Sequence, residues 1–257
     1  MAGLDCRLLT AAVCSERGRP LNNEDNYLMN GRFKPLGGED LPRLEQCAPV
    51  PLGVYAVCDG MGGTSFGEVA AAMAVEQLAA AADGLRLDGG QETAAGVLAR
   101  ISDRIRQEAM RRKARMGAAI VMAITCGGQI DLYHVGDCRA YLWQPDSLRQ
   151  LTEDDTMEQM MREIGGSCPA ASNQLTQFLG MDEDEFSIEP HHCRVELPSG
   201  GRLLLCSDGL TAAAGEDAIA ACMAGPAPLE EQARNLVDLA LKAGSRDNVT
   251  AMIIAEA

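Results

Sequence analysis

The stretch VYAVCDGMGGTSFGEVAA, residues 54–71, decides the fold of this chain. An apolar run ends at Cys58, Asp59 and a cluster of glycines follow it, and an alanine-rich stretch comes next. This order predicts a strand over Leu52–Cys58, a carboxylate directly after that strand, and a helix over Gly67–Ala82 that lies close against a sheet. One turn does not need three glycines in five residues, so we expect the backbone here to come close to a ligand.

Acidic residues recur at comparable positions along the whole chain. Five blocks stand out: NED (23–25), DGMGG (59–63), GD (136–137), SDG (207–209) and DN (247–248). Three of these blocks directly follow an apolar strand-like run and the last directly precedes one, so several strands could bring their carboxylates to one point. A single Asp-Gly pair could simply make a turn. Together the blocks predict an oxygen-only site for a hard divalent cation, to which the Gly60 carbonyl could contribute.

The remaining sequence contains clusters of strand-like runs separated by helical stretches. The predicted strands are Leu8–Cys14, Leu52–Cys58, Ala118–Cys126, Gln129–Val135, Arg139–Trp143, Arg202–Cys206 and Val249–Ala255, with a hairpin at Gly127-Gly128. The predicted helices are Gly67–Ala82, Glu92–Arg115, Thr156–Ile164 with Asp155 and Glu158 as a capping box, and Leu229–Ala243 with Gly244 after its C-terminus. This order favours an α+β sheet sandwich with helices outside over a doubly wound parallel sheet. No repeat or linker divides residues 1–257, which predicts a single domain.

Composition narrows the range of partners and compartments. The chain has 257 residues, of which 22 are basic and 37 acidic, for a net charge of −15. Such a field argues against nucleic acid and anionic membrane as partners. The ten cysteines include no C-x-x-C pair, which is typical of free thiols in a reducing cytosol. With no signal-peptide pattern and no apolar run of about 20 residues, we expect a cytoplasmic, monomeric protein.

The acidic blocks and their order resemble the metal-dependent serine/threonine protein phosphatases, known as the protein phosphatase 2C or PPM family, and in particular its bacterial members. The matching segments are NNEDNYL (22–28), VYAVCDGMGGTSFGEVAA (54–71), HVGDCRAYL (134–142), LTEDDT (151–156), LLLCSDGLT (203–211) and SRDNVTAMII (245–254). The resemblance covers nearly the whole chain. It implies a central β-sandwich of two antiparallel sheets with α-helices on both sides, and a flap subdomain at about residues 154–180 that influences substrate choice.

The resemblance also implies a centre of two Mn²⁺ or Mg²⁺ ions, with a third, weaker ion in some bacterial members. The implied metal ligands are Glu24, Asp25, Asp59, Gly60, Asp137, Asp208 and Asp247, and the catalytic set among them is Asp25, Asp59, Asp208 and Asp247. Asp59 bridges the two ions in this arrangement, and Asp137 matches the third-ion position. The paired ions generate a bridging hydroxide, which attacks phosphoserine or phosphothreonine in line with the leaving oxygen.

Substrate contacts depart from the family pattern. The arginine that usually grips phosphate lies five residues before the Asp of the NED block, and that position is Pro20. Arg17 and Arg19 are the nearest candidates for this role, because a guanidinium suits phosphate, but both could equally be surface residues. In the flap, Asn173 matches a position near the substrate and the third ion.

Two further departures concern proton transfer and local polarity. Thr64 stands where a proton-donating histidine is common, and its hydroxyl is too weak an acid for that task. Ala118-Ala119 replaces two threonines near the site. The three histidines, His134, His191 and His192, lie in other segments and are expected to be structural or surface residues.

Three hypotheses follow from these observations. The leading one is a serine/threonine phosphoprotein phosphatase that opposes a serine/threonine kinase. The second is a pseudophosphatase, a module that binds phosphoprotein but turns it over poorly, which the altered positions Pro20 and Thr64 would favour. The third is a hydrolase of small phosphate esters, although the acidic field of the chain would repel anionic metabolites.

Overall fold

A computed structural model describes residues 7–37, 43–62, 66–87, 92–145, 147–166, 173–181 and 187–257. The strands are β1 Leu9–Glu16, β2 Asn26–Met29, β3 Arg43–Gln46, β4 Leu52–Met61, β5 Gly117–Cys126, β6 Gln129–Val135, β7 Arg139–Gln144, β8 Ser147–Gln150, β9 His191–Glu196, β10 Arg202–Cys206 and β11 Val249–Glu256. The helices are α1 Gly67–Ala81, α2 Ala94–Arg112, α3 Met157–Glu163, α4 Asp208–Thr211, α5 Glu216–Met223 and α6 Leu229–Lys242. Thr64 and two of the cysteines, Cys6 and Cys168, lie outside the described residues.

The strands form two sheets in which all named pairings are antiparallel. Sheet I has the order β3-β1-β11-β10-β7-β8, and sheet II has the order β2-β4-β5-β6-β9. Helices α1 and α2 cover the outer face of sheet II, whereas α4, α5 and α6 pack on the side of sheet I. The α+β prediction of a two-sheet sandwich with helices on both sides is therefore confirmed.

Three layers of buried apolar side chains hold this arrangement together. The middle layer lies between the sheets and includes Val57, Val121 and Met252. The outer layers lie between each sheet and its helices. Alanines such as Ala70 and Ala74 line the buried face of α1, and their small side chains let the helix lie close to sheet II as predicted. Each fully buried Val, Leu or Ile contributes about 1.5–3 kcal/mol.

Strand β4 is longer than its apolar run. It pairs with β5 along its whole length, and the last pairs are Asp59 with Ala119, Gly60 with Ala118 and Met61 with Gly117. The prediction that Asp59 follows the strand is wrong, because the pairing continues through the aspartate and its glycine. The small residues of β5 leave room for this continuation, so Asp59 is fixed by backbone hydrogen bonds on a rigid strand.

The ends of helices α2 and α3 differ from those predicted from sequence. The N-cap of α3 is Thr156, whose hydroxyl accepts from the Gln159 amide at 3.2 Å. The predicted capping box of Asp155 with Glu158 is therefore wrong, because the Asp155 carboxylate accepts other hydrogen bonds. Helix α2 begins after the N-cap Thr93 rather than at Glu92 and ends before Arg115.

No helix in the described part of the chain is both long and apolar enough to cross a bilayer.

The C-terminus of α2 contains a residue in an unfavourable backbone conformation. Lys113 has φ 53° and ψ 41°, which is the left-handed region, and its amide closes the helix by donating to Ala109 and Met110 carbonyls. Glycine adopts this conformation without the steric cost that a Cβ brings.

We therefore expect Lys113→Gly to raise the free energy of unfolding by about 0.5–1 kcal/mol, measured by chemical denaturation. Lys113→Ala is the matched control, since it removes the charge but retains the Cβ, and it should change stability by less than about 0.5 kcal/mol. Equal stability of the two variants would show that the positive φ is not the cause.

Candidate active site

The separate acidic blocks converge on one cleft at the edge of the sandwich. The cleft has a volume of about 480 Å³ and is lined by Glu24, Asp59, Gly60, Met61, Gly62, Asp137, Asn173, Gln174, Leu175, Phe178, Asp208 and Asp247. A smaller neighbouring cavity of about 130 Å³ shares Asp137, Asn173 and Asp208 with it. Six of the seven residues predicted as metal ligands thus line the cleft, and the seventh, Asp25, is buried.

Both sheets supply these carboxylates. Sheet II contributes Asp59 from within β4 and Asp137 just after β6, whereas sheet I contributes Asp208 just after β10 and Asp247 just before β11. Glu24 lies just before β2. Since each acid is attached to the end or the interior of a buried strand, its backbone position is fixed by the sandwich itself.

Asp25 joins the two sheets through hydrogen bonds. Its Oδ2 accepts from Ser207 Oγ and from Thr250 Oγ1, each at 2.7 Å. Asp25 directly precedes β2 of sheet II, whereas Thr250 lies in β11 and Ser207 directly follows β10, both of sheet I. The Ser15 hydroxyl extends the network, 2.8 Å from Thr250 Oγ1. This carboxylate therefore connects the sheets at the base of the acidic cluster.

Asn248 holds two of the acidic blocks together. Its Oδ1 accepts from the Glu24 amide at 2.8 Å, and its Nδ2 donates to the Asn22 carbonyl at 3.2 Å. The segment before β2 is therefore attached to the segment before β11. Both partners are backbone groups, so replacing either neighbouring side chain would leave this attachment intact.

Gly60 of the DGMGG block and Gly67 after it are required by the chain's own backbone. A Cβ built on Gly60 would overlap the Gly67 carbonyl and lie 2.7 Å from the Glu24 carbonyl. A Cβ on Gly67 would in turn overlap the Glu24 carboxylate. The close approach expected from sequence is thus an approach between β4, the start of α1 and the Glu24 segment, and it brings Glu24 beside the Gly60 carbonyl.

Burial and mutual repulsion raise the pKa values of the clustered acids. Burial, opposed by its two hydroxyl hydrogen bonds, raises the pKa of Asp25 to about 7. Burial and the negative charge of Asp208 raise the pKa of Asp137 to about 7. Burial and the charge of Asp25 hold the pKa of Asp59 well above its usual range. The site is therefore short of positive charge.

The two remaining shifted carboxyls show the same causes. Burial and the charge of Asp247 raise the pKa of Asp208, and burial and the charge of Glu68 raise the pKa of Glu24. A pKa above its usual value means that the ionised carboxylate is destabilised at this site. A bound cation would stabilise that ionised form.

Unpaired buried oxygens indicate what the cluster can hold. Among the described residues, Asp25 Oδ1 and Asp208 Oδ1 are buried without a hydrogen-bond partner. Buried polar atoms are nearly always partnered, so such an orphan requires an explanation. The donors in the cleft are carboxylate and carbonyl oxygens, the set that Mg²⁺ and Mn²⁺ prefer. The residues present therefore fit two hard divalent ions.

Arg139 is a site residue that sequence analysis missed. It lines the smaller cavity with Asp137 and Asp208, and its positive charge partly opposes the rise that burial causes in the pKa of both acids. Asp154 fixes its guanidinium through a bidentate ion pair, with N···O distances of 2.6–3.1 Å. The partners lie 15 residues apart in sequence, so no local pattern marks the pair.

The predicted substrate-binding residues occupy two different environments. Asn173 lines both the cleft and the smaller cavity. Arg17 and Arg19 are exposed and neither lines the cleft. Arg17 Nη1 donates instead to the Leu21 carbonyl. They flank Gly18, where an added Cβ would overlap the Asp247 carbonyl, so they lie beside the cleft rather than in it.

Two cysteines directly adjoin the acidic cluster. Cys58 precedes Asp59 and Cys138 follows Asp137, and both side chains are buried and free. Burial, followed by the charges of the neighbouring aspartates, raises the pKa of each thiol above its usual range. Both sulfurs are therefore held as neutral thiols.

The fold and this cluster of acids define a class of protein, a two-sheet α+β sandwich with a carboxylate-rich cleft. Comparison with known proteins identifies the family. Residues 49–242 match the profile of the family described as protein phosphatase 2C. The chain is 30% identical over 221 residues to the serine/threonine phosphatase stp of Listeria innocua, covering 78% of this chain and 83% of that protein. The chain belongs to the protein phosphatase 2C family.

A relative from Mycobacterium tuberculosis and a solved structure agree with this assignment. The serine/threonine protein phosphatase PstP is 31% identical over 211 residues, which are 78% of this chain and 40% of PstP, so the chain spans less than half of that protein. The crystal structure of the PstP catalytic domain in complex with two manganese ions has a TM-score of 0.76 at 28% identity, covering 96% of this chain and 98% of that structure.

The raised pKa values predict how the metal-free protein responds to pH. In the folded state Asp25 and Asp137 have a pKa of about 7, above the value of about 3.9 in an unfolded chain. Their contribution is fully stabilising below the unfolded value and is lost as the pH rises through the folded value. With a chelator present, we expect the free energy of unfolding to fall by about 2 kcal/mol or more between about pH 5 and pH 7.5.

Chemical denaturation at several pH values measures this loss, and excess Mn²⁺ should abolish most of it. Asp137→Asn is the matched control, because it removes one of the two titrating groups and should reduce the loss in the presence of chelator. A stability that rises over this interval without metal would contradict the assigned shifts.

Proposed function

We propose that this protein is a metal-dependent serine/threonine phosphoprotein phosphatase. The observation that carries the proposal is the convergence of carboxylates from both sheets on one cleft, with buried oxygens of Asp25 and Asp208 left without hydrogen-bond partners. Membership of the protein phosphatase 2C family and the two manganese ions in the PstP structure support it.

The proposed metal ligands are the carboxylates of Asp59, Asp208 and Asp247, the Gly60 carbonyl, and Glu24 and Asp25 directly or through water. Asp137 is the proposed ligand of a third ion. Two divalent ions held there would lower the pKa of a water molecule and offset negative charge on the phosphoryl oxygens. The role of the protein is to fix these oxygens on rigid strands before the substrate arrives.

Other residues of the chain orient the ligands. Asp25, held by Ser207 and Thr250, keeps one oxygen free and directed away from those hydroxyls. Asn248 fixes the Glu24 backbone, and Arg139 limits the repulsion between Asp137 and Asp208. We propose that Thr64, at the position of the usual histidine, leaves protonation of the leaving oxygen to water.

The surroundings of the cleft favour a polypeptide substrate over a small phosphate ester. Phe178 lines both the cleft and a neighbouring groove of about 530 Å³, which also contains Lys113 and Arg115. A basic groove that continues from the cleft could hold the acidic or phosphorylated flank of a protein chain. We propose a single domain in which the flap, at about residues 154–180, contributes to this substrate site. Its residues Asn173, Gln174, Leu175 and Phe178 line the cleft, whereas residues 167–172 lie outside the described ranges.

The cellular setting proposed for this activity is the cytoplasm, where the protein would act as a monomer and oppose a serine/threonine kinase. The free cysteines support a reducing compartment, and the net charge of −15 argues against attraction to nucleic acid or anionic membranes.

Asp208→Asn tests the metal centre in two independent ways. We expect kcat/KM for p-nitrophenyl phosphate and for a phosphothreonine peptide to fall about 10³-fold or more in Mn²⁺, because a metal ligand is lost. The same variant should be more stable than the parent protein in chelator, since one repelling charge has been removed from the cleft.

Asp238→Asn is the control for this substitution, because Asp238 lies on α6 in an exposed pair with Lys242 and should affect neither measurement. Turnover by the parent protein should disappear with chelator. Absence of turnover despite stabilisation by Mn²⁺ would overturn the enzyme in favour of a pseudophosphatase. Fast hydrolysis of the small ester with an inert peptide would favour a small-ester hydrolase.

Arg17→Ala and Arg19→Ala test substrate binding at the rim of the cleft. A charge-assisted hydrogen bond to phosphate contributes about 1.5–3 kcal/mol, so loss of the gripping arginine should raise KM for the phosphopeptide about 10-fold or more with little change in kcat. We expect one of the two variants to behave this way. If neither changes KM, the family's phosphate-gripping role has no counterpart in this segment.

A further inference from the structure

A second cluster of metal-binding side chains lies outside the acidic cleft. His134, Asp155 and His191 bring two imidazole nitrogens and a carboxylate oxygen within 4.8 Å of one another. His134 and Asp155 are buried, whereas His191 is exposed. None of the three lines the acidic cleft. The set contains nitrogen donors, in contrast to the oxygen-only donors of the cleft.

The two sheet strands bring the histidines together. His134 and His191 are directly opposite in the antiparallel pairing of β6 with β9, and their rings stack with centroids 4.6 Å apart and planes inclined by 13°. Both rings direct Nε2 at the chain segment after β8. His134 Nε2 is 2.8 Å from the Glu153 carbonyl, and His191 Nε2 is 2.8 Å from Asp155 Oδ1.

A second aspartate–histidine pair on the same two strands, Asp131 with His192, includes an arginine that the Asp155 cluster does not have among the described residues. On the opposite face, Asp131 accepts from His192 at 3.1 Å and also forms a bidentate ion pair with Arg194, at 2.6 and 2.7 Å. The Asp131 carboxylate is thus balanced by a permanent cation. Within the described ranges, no lysine or arginine pairs with Asp155, whose side chain is 8% exposed and whose partners are His191, Gln177 and the Gly136 amide.

The chemistry of the three donors selects a particular kind of cation. Two imidazoles and one carboxylate suit borderline metals such as Zn²⁺, with ligand bonds of about 2.0–2.2 Å and an open fourth position for water. Such bonds require donor separations of roughly 3.3 Å in a tetrahedral site, so rotation of the exposed His191 and a small shift of its partners suffice. Burial lowers the pKa of His134, which keeps that imidazole in the neutral form that binds metal.

We propose that His134, Asp155 and His191 form a second metal site that takes Zn²⁺ or a similar borderline divalent ion and is chemically distinct from the acidic cleft. The ion replaces the hydrogen bond between His191 Nε2 and Asp155 Oδ1, and the neutral His191 ring binds as the tautomer that carries its proton on Nδ1 and its lone pair on Nε2. It supplies the positive charge that Arg194 supplies on the other face. This proposal departs from the expectation from sequence that both histidines are structural or surface residues.

The position of Asp155 connects this site to the flap and to the cleft. Its Oδ2 accepts from the Gly136 amide at 2.8 Å, next to Asp137, and its carbonyl accepts from the Thr176 amide at 2.8 Å. The Gln177 side chain donates to Oδ1 at 3.1 Å. An ion bound at Asp155 therefore fixes the residue from which both the Asp137 loop and part of the flap are held.

His191→Gln and His192→Gln form a matched pair for the test. The two histidines are adjacent, each side chain is 44% exposed, and each contacts one aspartate, but only His191 belongs to the proposed site. Glutamine retains an amide that can donate to the aspartate, so a purely structural hydrogen bond survives the change. Zn²⁺ binding would be measured against a chromophoric chelator on the full chain with excess Mg²⁺ present throughout to occupy the oxygen-only cleft.

The parent protein and His192→Gln should each bind one Zn²⁺ more tightly than His191→Gln does, by about 100-fold or more, as expected for loss of one of three protein ligands. With Co²⁺ as the probe, the parent and His192→Gln should show visible absorption bands of a four-coordinate site that His191→Gln lacks. Equal affinity and equal spectra for all three proteins would overturn the proposal, as would an equal loss in both variants.

A measurement on the unaltered protein covers the case in which a variant misfolds. Acylation of histidines with diethyl pyrocarbonate, followed by peptide mass spectrometry, reports the accessibility of each ring. Zn²⁺ in excess Mg²⁺ should protect His191 and leave His192 reactive. Equal reactivity of His191 with and without Zn²⁺ would overturn the site.

Discussion

The constraint on which the rest of the structure depends is the repulsion among carboxylates held at one edge of the sandwich. Burial and mutual charge raise the pKa of Asp25, Asp59, Asp137 and Asp208, so each carboxylate form is less stable there than in water. These repelling carboxylates can be held together only by a fold that other interactions stabilise. The three apolar layers provide this stability.

The hydrogen bonds at Asp25 explain how the acids of the two sheets are held in fixed positions relative to one another. Separate sheets of a sandwich are joined mainly by apolar contact, which is non-directional and would allow small displacements. The bonds from Ser207 and Thr250 to Asp25 are short and directional, and they lie at the end where the ligands meet. The Asn248 contact with Glu24 adds a second link of this kind.

Sequence patterns predicted the interior strands and the acids that line the cleft, because apolar runs followed by Asp-Gly are local signals. They missed four strands: β2, β3, β8 and β9. The residues of β3, β8 and β9 are mostly half-exposed or exposed and lack an apolar run, whereas β2 is buried but only four residues long. Arg139 and Asp155 were not recognised because their partners are distant in sequence. Asp59 was placed after its strand since the pairing of β4 beyond the apolar run depends on the small residues of β5.

The thiols beside the acidic cluster have a consequence for oxidative stress. Peroxide oxidises the thiolate form of cysteine, and burial raises the pKa of both Cys58 and Cys138 far above cellular pH. These sulfurs are next to Asp59 and Asp137 in sequence, yet they remain protonated and unreactive. The chemistry of the cleft is therefore carried by oxygen donors, and neither neighbouring cysteine offers peroxide a thiolate to oxidise.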